Sequence, residues 1–153
     1  MNQTETTLQR FVTHLPLSTT DRVLVILKGH LLVEEMLREY IKLQVHRADK
    51  LQDARLTFHQ CLCLARAFDK EESNEKLWSS VEKLNGLRNK LSHSLEPKDV
   101  EAKLKEFVSL LSDFKADEGY VDEEKNFGVL ASCLLTICLS LSEFLRRAGI
   151  ETK

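Results

Sequence analysis

The sequence predicts an all-α fold, an antiparallel bundle of four to five helices. Two observations carry this prediction: apolar residues recur at spacings of three and four along most of the chain, and no segment alternates with the period of a strand. Only two prolines and five glycines among 153 residues leave little material for the tight turns of a β-sandwich. With 42% hydrophobic residues the chain can build one sizeable core, so we expect a single domain over 1–153 with its core at about 18–148.

The first predicted helix covers residues 21 to about 47. Hydroxyl side chains at 18–20 offer an N-cap in front of it. Gly29 lies inside this helix at a cost of about 1 kcal/mol relative to alanine, which indicates either a close approach of another backbone or a merely tolerated glycine. The apolar positions of the helix are Val23, Leu24, Leu27, Leu31, Leu37, Ile41 and Val45.

The second and third helices are predicted over about 53–70 and from Ser73 to near His93. Pro97 ends the third helix, because proline and the residue before it disfavour helical backbone. The apolar face of the second is formed by Leu56, Phe58, Cys61, Leu62, Leu64, Ala65 and Phe68. That of the third is formed by Leu77, Trp78, Val81, Leu84, Leu87 and Leu91.

The fourth predicted helix, 98 to about 115, is amphipathic, and the acidic segment 116–126 after it is the one expected long loop. The last helix, about 126–147, carries no charge between Lys125 and Glu143. Hydroxyl residues four apart, Ser132, Thr136 and Ser140, share one of its faces. We interpret it as too short and too polar to cross a bilayer, and as either the central buried helix or a subunit interface.

Charge and cysteine content exclude several classes of protein. The 22 basic and 24 acidic residues give a net charge of -2, so the chain has no global positive field and any anion must be held locally. The N-terminus has no secretory pattern, and we expect a cytoplasmic protein without membrane contact. The four cysteines are predicted to be reduced, buried thiols.

Neither a metal site nor a cofactor site is expected. His59 and Cys63 would share a helical face from which Cys61 points away, so these three side chains cannot converge on a metal. No phosphate-binding or dinucleotide-binding glycine loop occurs.

The third helix ends in the candidate site, where Arg88, Asn89 and His93 lie within about two turns. These groups suffice for cleaving a phosphodiester: His93 would move the proton of a ribose 2′-hydroxyl, and Arg88 would stabilise charge on the phosphorane. Asn89, one turn before His93, could fix its tautomer. Arg88 and His93 are about 140° apart on an ideal helix, so a loosened last turn or a long reach is needed for both to address one phosphate.

The same residues have a purely structural explanation, because cations near a helix C-terminus complement the helix dipole. Glu34 is a second candidate, since it lies on the apolar stripe of the first helix and a carboxylate there needs a partner. His30, one turn away, or Arg88 from the third helix would serve, unless Glu34 simply reaches water.

Arg88-Asn89-x-x-x-His93 at the end of a long helix, after an earlier helix with Gly29-His30 and Glu34, resembles the HEPN superfamily of helical domains. The resemblance covers about 18–148. It implies a homodimer in which the two motifs meet to form one composite, metal-independent RNase site. In toxins of this superfamily that are silenced by a nucleotidyltransferase antitoxin, a tyrosine often stands two residues after the histidine, and here that position is Leu95.

Two functions follow from the sequence. The first is an endoribonuclease or RNase-like toxin in which Arg88 and His93 are catalytic, Asn89 and Glu34 orient or support them, and two lysines, Lys90 and Lys98, attract phosphate. Its partners would be RNA, a second copy of the chain and a nucleotidyltransferase antitoxin or another protein. The alternative is a non-catalytic helical regulator similar to the mannitol operon repressor group, with the uncharged face of 127–141 as its binding surface.

Overall fold

The computed structural model describes residues 2–18, 21–96, 98–111 and 123–151, with the backbone alone described for 123–127 and 150–151. The described residues form a bundle of α-helices without a strand, as predicted. In the described ranges there are six α-helices and two short 3-10 turns, which is more than the four or five helices expected. The helices are α1 (Gln3–His14), α2 (Arg22–Gln44), α3 (Phe58–Phe68), α4 (Glu75–His93), α5 (Val100–Leu111) and α6 (Glu123–Glu151), and the 3-10 turns are Ala48–Leu51 and Glu72–Asn74.

Helix α1 was not predicted from the sequence. It begins with a capping box in which Asn2 and Glu5 bond each other's backbone N–H groups, and it packs against α6. Phe11 and Leu15 are buried in the main core, so the core begins before residue 18. With so few core positions, α1 depends for its stability on tertiary contact rather than on its own periodicity.

Helices α2 and α3 are both shorter than predicted. The cap of α2 is Asp21, whose carboxylate accepts a hydrogen bond from the Leu24 N–H at 3.1 Å, rather than a residue of 18–20. The cap of α3 is Thr57, which forms a capping box with Gln60. The residues in front of Thr57 form the 3-10 turn and the loop after it instead of a first helical turn.

The carboxylate of Asp69 stabilises the connection between α3 and α4. It accepts hydrogen bonds from the Trp78 indole N–H at 2.6 Å and from the Asn74 side-chain amide at 3.1 Å. The backbone N–H of Glu71 donates to it as well, at 3.0 Å. The predicted end of α4 at His93 is confirmed.

Helix α6 lies against α1 and α2 and supplies one wall of the core. Its buried side chains include Leu130, Cys133, Leu134, Ile137, Cys138, Leu141 and Leu145. At Gly29 of α2 a Cβ atom would lie 2.8 Å from Leu134 Cδ1, so the close approach expected at this glycine is made by a side chain and not by a backbone. The loop predicted at 116–126 falls outside the described residues up to 122, and α6 already begins at Glu123.

The buried-helix interpretation of α6 holds for one side only. Ser132 and Thr136 are exposed and Ser140 is half-buried, and the Thr136 and Ser140 hydroxyls each donate to the backbone carbonyl four residues earlier at 2.9 Å. Within the described chain one stretch of 22 residues, Gly128–Gly149, has the length and composition to cross a membrane, since an 18-residue window inside it has a mean hydropathy of 1.9. The expectation that it is too short and too polar was therefore wrong by length and composition, and 44% of its 18-residue apolar window is buried in the fold.

Candidate functional site

Arg88 is a half-buried cation in the last two turns of α4. Its Nη1 donates to the Asn89 Oδ1 at 3.0 Å, and its backbone carbonyl accepts from the Ser92 hydroxyl at 2.9 Å. Within the described part of the chain, no carboxylate forms an ion pair with Arg88. The guanidinium is thus held in place by a neutral amide, and no carboxylate of the described ranges compensates its charge.

His93 is the last residue of α4 and is exposed. The helix stays α-helical up to this residue and turns extended only at Ser94, so the loosened last turn considered above is not present. Ideal helix geometry then separates Arg88 from His93 by about 140° around α4 and about 7.5 Å along it. The two side chains thus leave the helix in diverging directions, although the guanidinium of Arg88 reaches Asn89, the residue one turn before His93.

Glu34 does not pair with either partner proposed for it. Its Oε1 accepts from Arg38 Nη2 at 2.6 Å and from Arg38 Nε at 3.2 Å, so the expected contact with His30 or Arg88 is wrong. Arg38 is the partner of Glu34 because it lies one turn later on the same helix. Its Nη2 also donates to the Leu56 carbonyl at 2.7 Å, which holds the guanidinium in place.

His30 is the buried polar residue next to the site. Its Nε2 is 3.1 Å from the Asn85 Oδ1 of α4, and its ring stacks on Phe58 of α3 with the centroids 4.1 Å apart. Burial lowers the pKa of His30, the bond to Asn85 opposes this, Arg88 lowers the pKa further and Glu34 raises it. His30 thus joins α2, α3 and α4 through a ring whose neutral form is favoured by its burial.

The bond between His30 and Asn85 was missed by sequence reasoning, although a signal for it exists. Asn85, Asn89 and His93 follow one another at four-residue spacing, which places them along one face of α4. That line of polar side chains starts in the buried contact with α2 and ends at the exposed end of the helix.

Lys90 and Lys98 flank the end of α4. Lys90 is half-buried and Lys98 is exposed, and neither forms an ion pair in the described ranges. Together with Arg88 they give this end of the molecule unpaired positive charge, although the chain as a whole is slightly acidic.

All four cysteines are free, but only three are buried: Cys63 is exposed, against expectation. Burial raises the pKa of Cys133 to about 11 and that of Cys138 to about 12. The Cys63 Sγ lies 3.6 Å from the His59 Nε2, while Cys61 points into the core, as the helical spacing predicts. The described ranges contain no group of three or more residues able to hold a metal ion.

No protein-family model, no curated protein and no solved structure matches this chain. The class of the protein, an all-α helical bundle, therefore rests on its own fold. The resemblance to the HEPN superfamily stays a prediction carried by Arg88, Asn89 and His93.

Proposed function

We propose that this chain is a metal-independent endoribonuclease of the HEPN type, active in the cytoplasm as a homodimer. The observation that supports it most is the half-buried Arg88, which has no carboxylate partner in the described chain and lies one turn from an exposed histidine. A partly desolvated cation without a counter-charge is costly, and a phosphate would compensate it.

The chemistry follows from the two side chains. His93 takes the proton of a ribose 2′-hydroxyl, whose oxygen attacks the adjacent phosphorus while the bond to the 5′-oxygen breaks. The 5′-oxygen takes up a proton from water, and His93 afterwards releases its proton to water. Arg88 stabilises the negative charge of the phosphorane. The products are a 2′,3′-cyclic phosphate and a 5′-hydroxyl, and Lys90 and Lys98 attract the RNA backbone.

Two support roles change relative to the sequence hypothesis. Asn89 bonds the guanidinium of Arg88, so it orients this side chain rather than the imidazole of His93. Glu34 is occupied by Arg38, so it acts as a positioning residue of α2 and does not touch the reacting atoms.

A second protomer resolves the divergence of Arg88 and His93, because Arg88 of one copy then works beside the partner's His93. The α2 face around Glu34 is suited to such an interface. Leu31 beside it is 50% exposed and Leu27, one turn earlier, is half-buried, so apolar area borders the polar cluster.

The proposal is tested by incubating the purified protein with single-stranded RNA in EDTA and mapping the product ends by mass spectrometry. Arg88→Ala and His93→Ala should each lower the cleavage rate at least about 100-fold. Arg47→Ala and His46→Ala are matched controls, since both residues are exposed in the turn after α2, and these variants should keep full activity. Wild-type protein that is dimeric and folded but cleaves no RNA contradicts the proposal and favours the regulator alternative.

The sharing of the site between protomers has its own test. When the two inactive variants are mixed and allowed to exchange subunits, each mixed dimer contains one intact Arg88–His93 pair and one doubly altered pair. At equal amounts, half of the dimers are mixed, and each of them has one intact Arg88–His93 pair where a wild-type dimer has two. About a quarter of the wild-type activity should therefore return. A site contained within one protomer would give no recovery.

A further inference from the structure

A cavity of about 150 Å³ lies beside the last turns of α2, away from the end of α4. Its floor is apolar: Ile41 and Cys61 are each 1% exposed, and Leu51 and Leu56 are half-buried. An engineered apolar cavity of about this volume holds a benzene molecule. The floor therefore offers space for one ring-sized apolar group.

The rim of the cavity carries three cations, Arg38, Lys42 and Arg55. The charge of Arg38 is compensated by Glu34, and its guanidinium donates to the Leu56 carbonyl, so this side chain is held in one position at the rim. Lys42 and Arg55 are exposed and have no ion-pair partner in the described chain. An apolar floor thus stands next to two uncompensated positive charges.

The backbone of Arg55 adds an independent observation. Its φ angle is 47°, in the left-handed region, which is uncommon for residues other than glycine, asparagine and aspartate. Residues held in such conformations cluster at ligand sites. In the loop between the 3-10 turn and α3, a backbone conformation that favours glycine is thus occupied by an arginine at the edge of the cavity.

We propose that this cavity binds a small anion that carries one ring-sized apolar group, with an aryl phosphate as the best match. The ring occupies the space over Ile41 and Cys61, and the phosphate is bound by Lys42 and Arg55, whose two charges equal those of a phosphate monoester dianion. Residues of α4 do not line the cavity, so the proposal is independent of RNA cleavage.

Titration of the full chain with phenyl phosphate by isothermal calorimetry tests the proposal. We expect saturable binding with a Kd of about 1 mM, as for a ligand of about 11 heavy atoms. Inorganic phosphate and phenol, each of which supplies one half of the ligand, should bind at least about tenfold more weakly. Arg55→Gly should raise the Kd for phenyl phosphate about tenfold, and glycine suits the left-handed backbone, so this variant should stay folded.

Lys28→Gln is the matched control, because it removes an exposed positive charge from the same helix about 21 Å before Lys42, and its Kd should equal that of the wild type. Equal Kd values for Arg55→Gly and the wild type would overturn the proposal. Inorganic phosphate binding as tightly as phenyl phosphate would also overturn it, since surface charge alone would then explain the result. The same conclusion follows from a lack of saturation up to about 20 mM phenyl phosphate, well above the expected Kd.

Discussion

Replacing Gly29 by alanine tests the closest contact between α2 and α6. The added Cβ would lie 2.8 Å from Leu134 Cδ1, 2.9 Å from Cδ2 and 3.3 Å from Cγ. Leu134 is 0% exposed, so its methyl groups must be displaced into a filled core. Gly86 is the matched control: it also lies inside a helix, α4, but is exposed, and a Cβ there meets no atom within 4 Å.

Two opposing terms set the magnitude. Alanine is better than glycine in a helix interior by about 1 kcal/mol, and this gain applies to both sites. Forcing one extra carbon into a packed core costs about 1–3 kcal/mol, and this cost applies to Gly29 alone. Gly86→Ala should therefore raise the free energy of unfolding, while Gly29→Ala should lie about 1–3 kcal/mol below it.

Urea denaturation followed by circular dichroism measures both free energies of unfolding. A second measurement assigns the cost to Leu134. Leu134→Ala alone should cost about 2–5 kcal/mol, but combined with Gly29→Ala the total should fall short of the sum of the two single changes, because the methyl groups of Leu134 are gone. If Gly29→Ala stabilises the protein as much as Gly86→Ala does, the reasoning about this contact is wrong.

Three further predictions concern stability, and all are read from urea midpoints. Asp69→Ala should cost about 1–3 kcal/mol, since it leaves the part-buried Trp78 N–H without its acceptor, and Trp78→Phe in the same background should cost less than it does alone. Thr57→Ala removes the cap of α3 and should cost about 1 kcal/mol, whereas Thr57→Ser should cost almost nothing; equal losses would exclude the hydroxyl as the cause. The pKa of His30 in the folded state lies below its ordinary value of 6.5. At a pH between the folded-state pKa and 6.5, the imidazole is protonated in the unfolded chain but not in the folded one. The free energy of unfolding therefore falls as the pH falls through this range, by at most about 1.4 kcal/mol per pH unit. His30→Gln should abolish this slope, and an unchanged slope would assign it to another group.

Periodicity predicted the helical class and the end of α4 because both depend on local patterns. The apolar stripe of the third predicted helix and Pro97 after it locate His93 without any tertiary information. Helix α1 was missed for the opposite reason. Phe11 and Leu15 count as core residues only once α6 is packed against them, and sequence spacing does not show that contact.

For the site, the sequence indicates which groups occur near the end of α4 but not which of them bond to one another. His30, Arg38 and Arg88 all carry groups that could bind Glu34, and the structure pairs Glu34 with Arg38, which lies one turn later on α2. The bond between His30 and Asn85 joins residues 55 positions apart, which only the packing of α2 on α4 brings together. The exposed Cys63 is likewise explained by the side of α3 that faces α2 and α4, because this side includes Cys61 and leaves Cys63 outside.

The protonation state of the buried His30 affects the amount of positive charge around Arg88. A protonated imidazole there would add a second positive charge close to Arg88 in a region shielded from water, and both burial and Arg88 lower its pKa. With His30 neutral, the positive charge close to it is that of Arg88, whose guanidinium is fixed by the amide of Asn89, and the carboxylate of Glu34 is the opposing charge. Since α4 is helical up to His93, Arg88 and His93 leave the helix about 140° apart, but the guanidinium of Arg88 reaches back to Asn89, which lies on the same face as His93. The RNA-cleavage assay separates catalysis from a helix end that merely carries Arg88 and His93, and the subunit-mixing experiment then decides whether these two side chains act within one copy of the chain or across two copies.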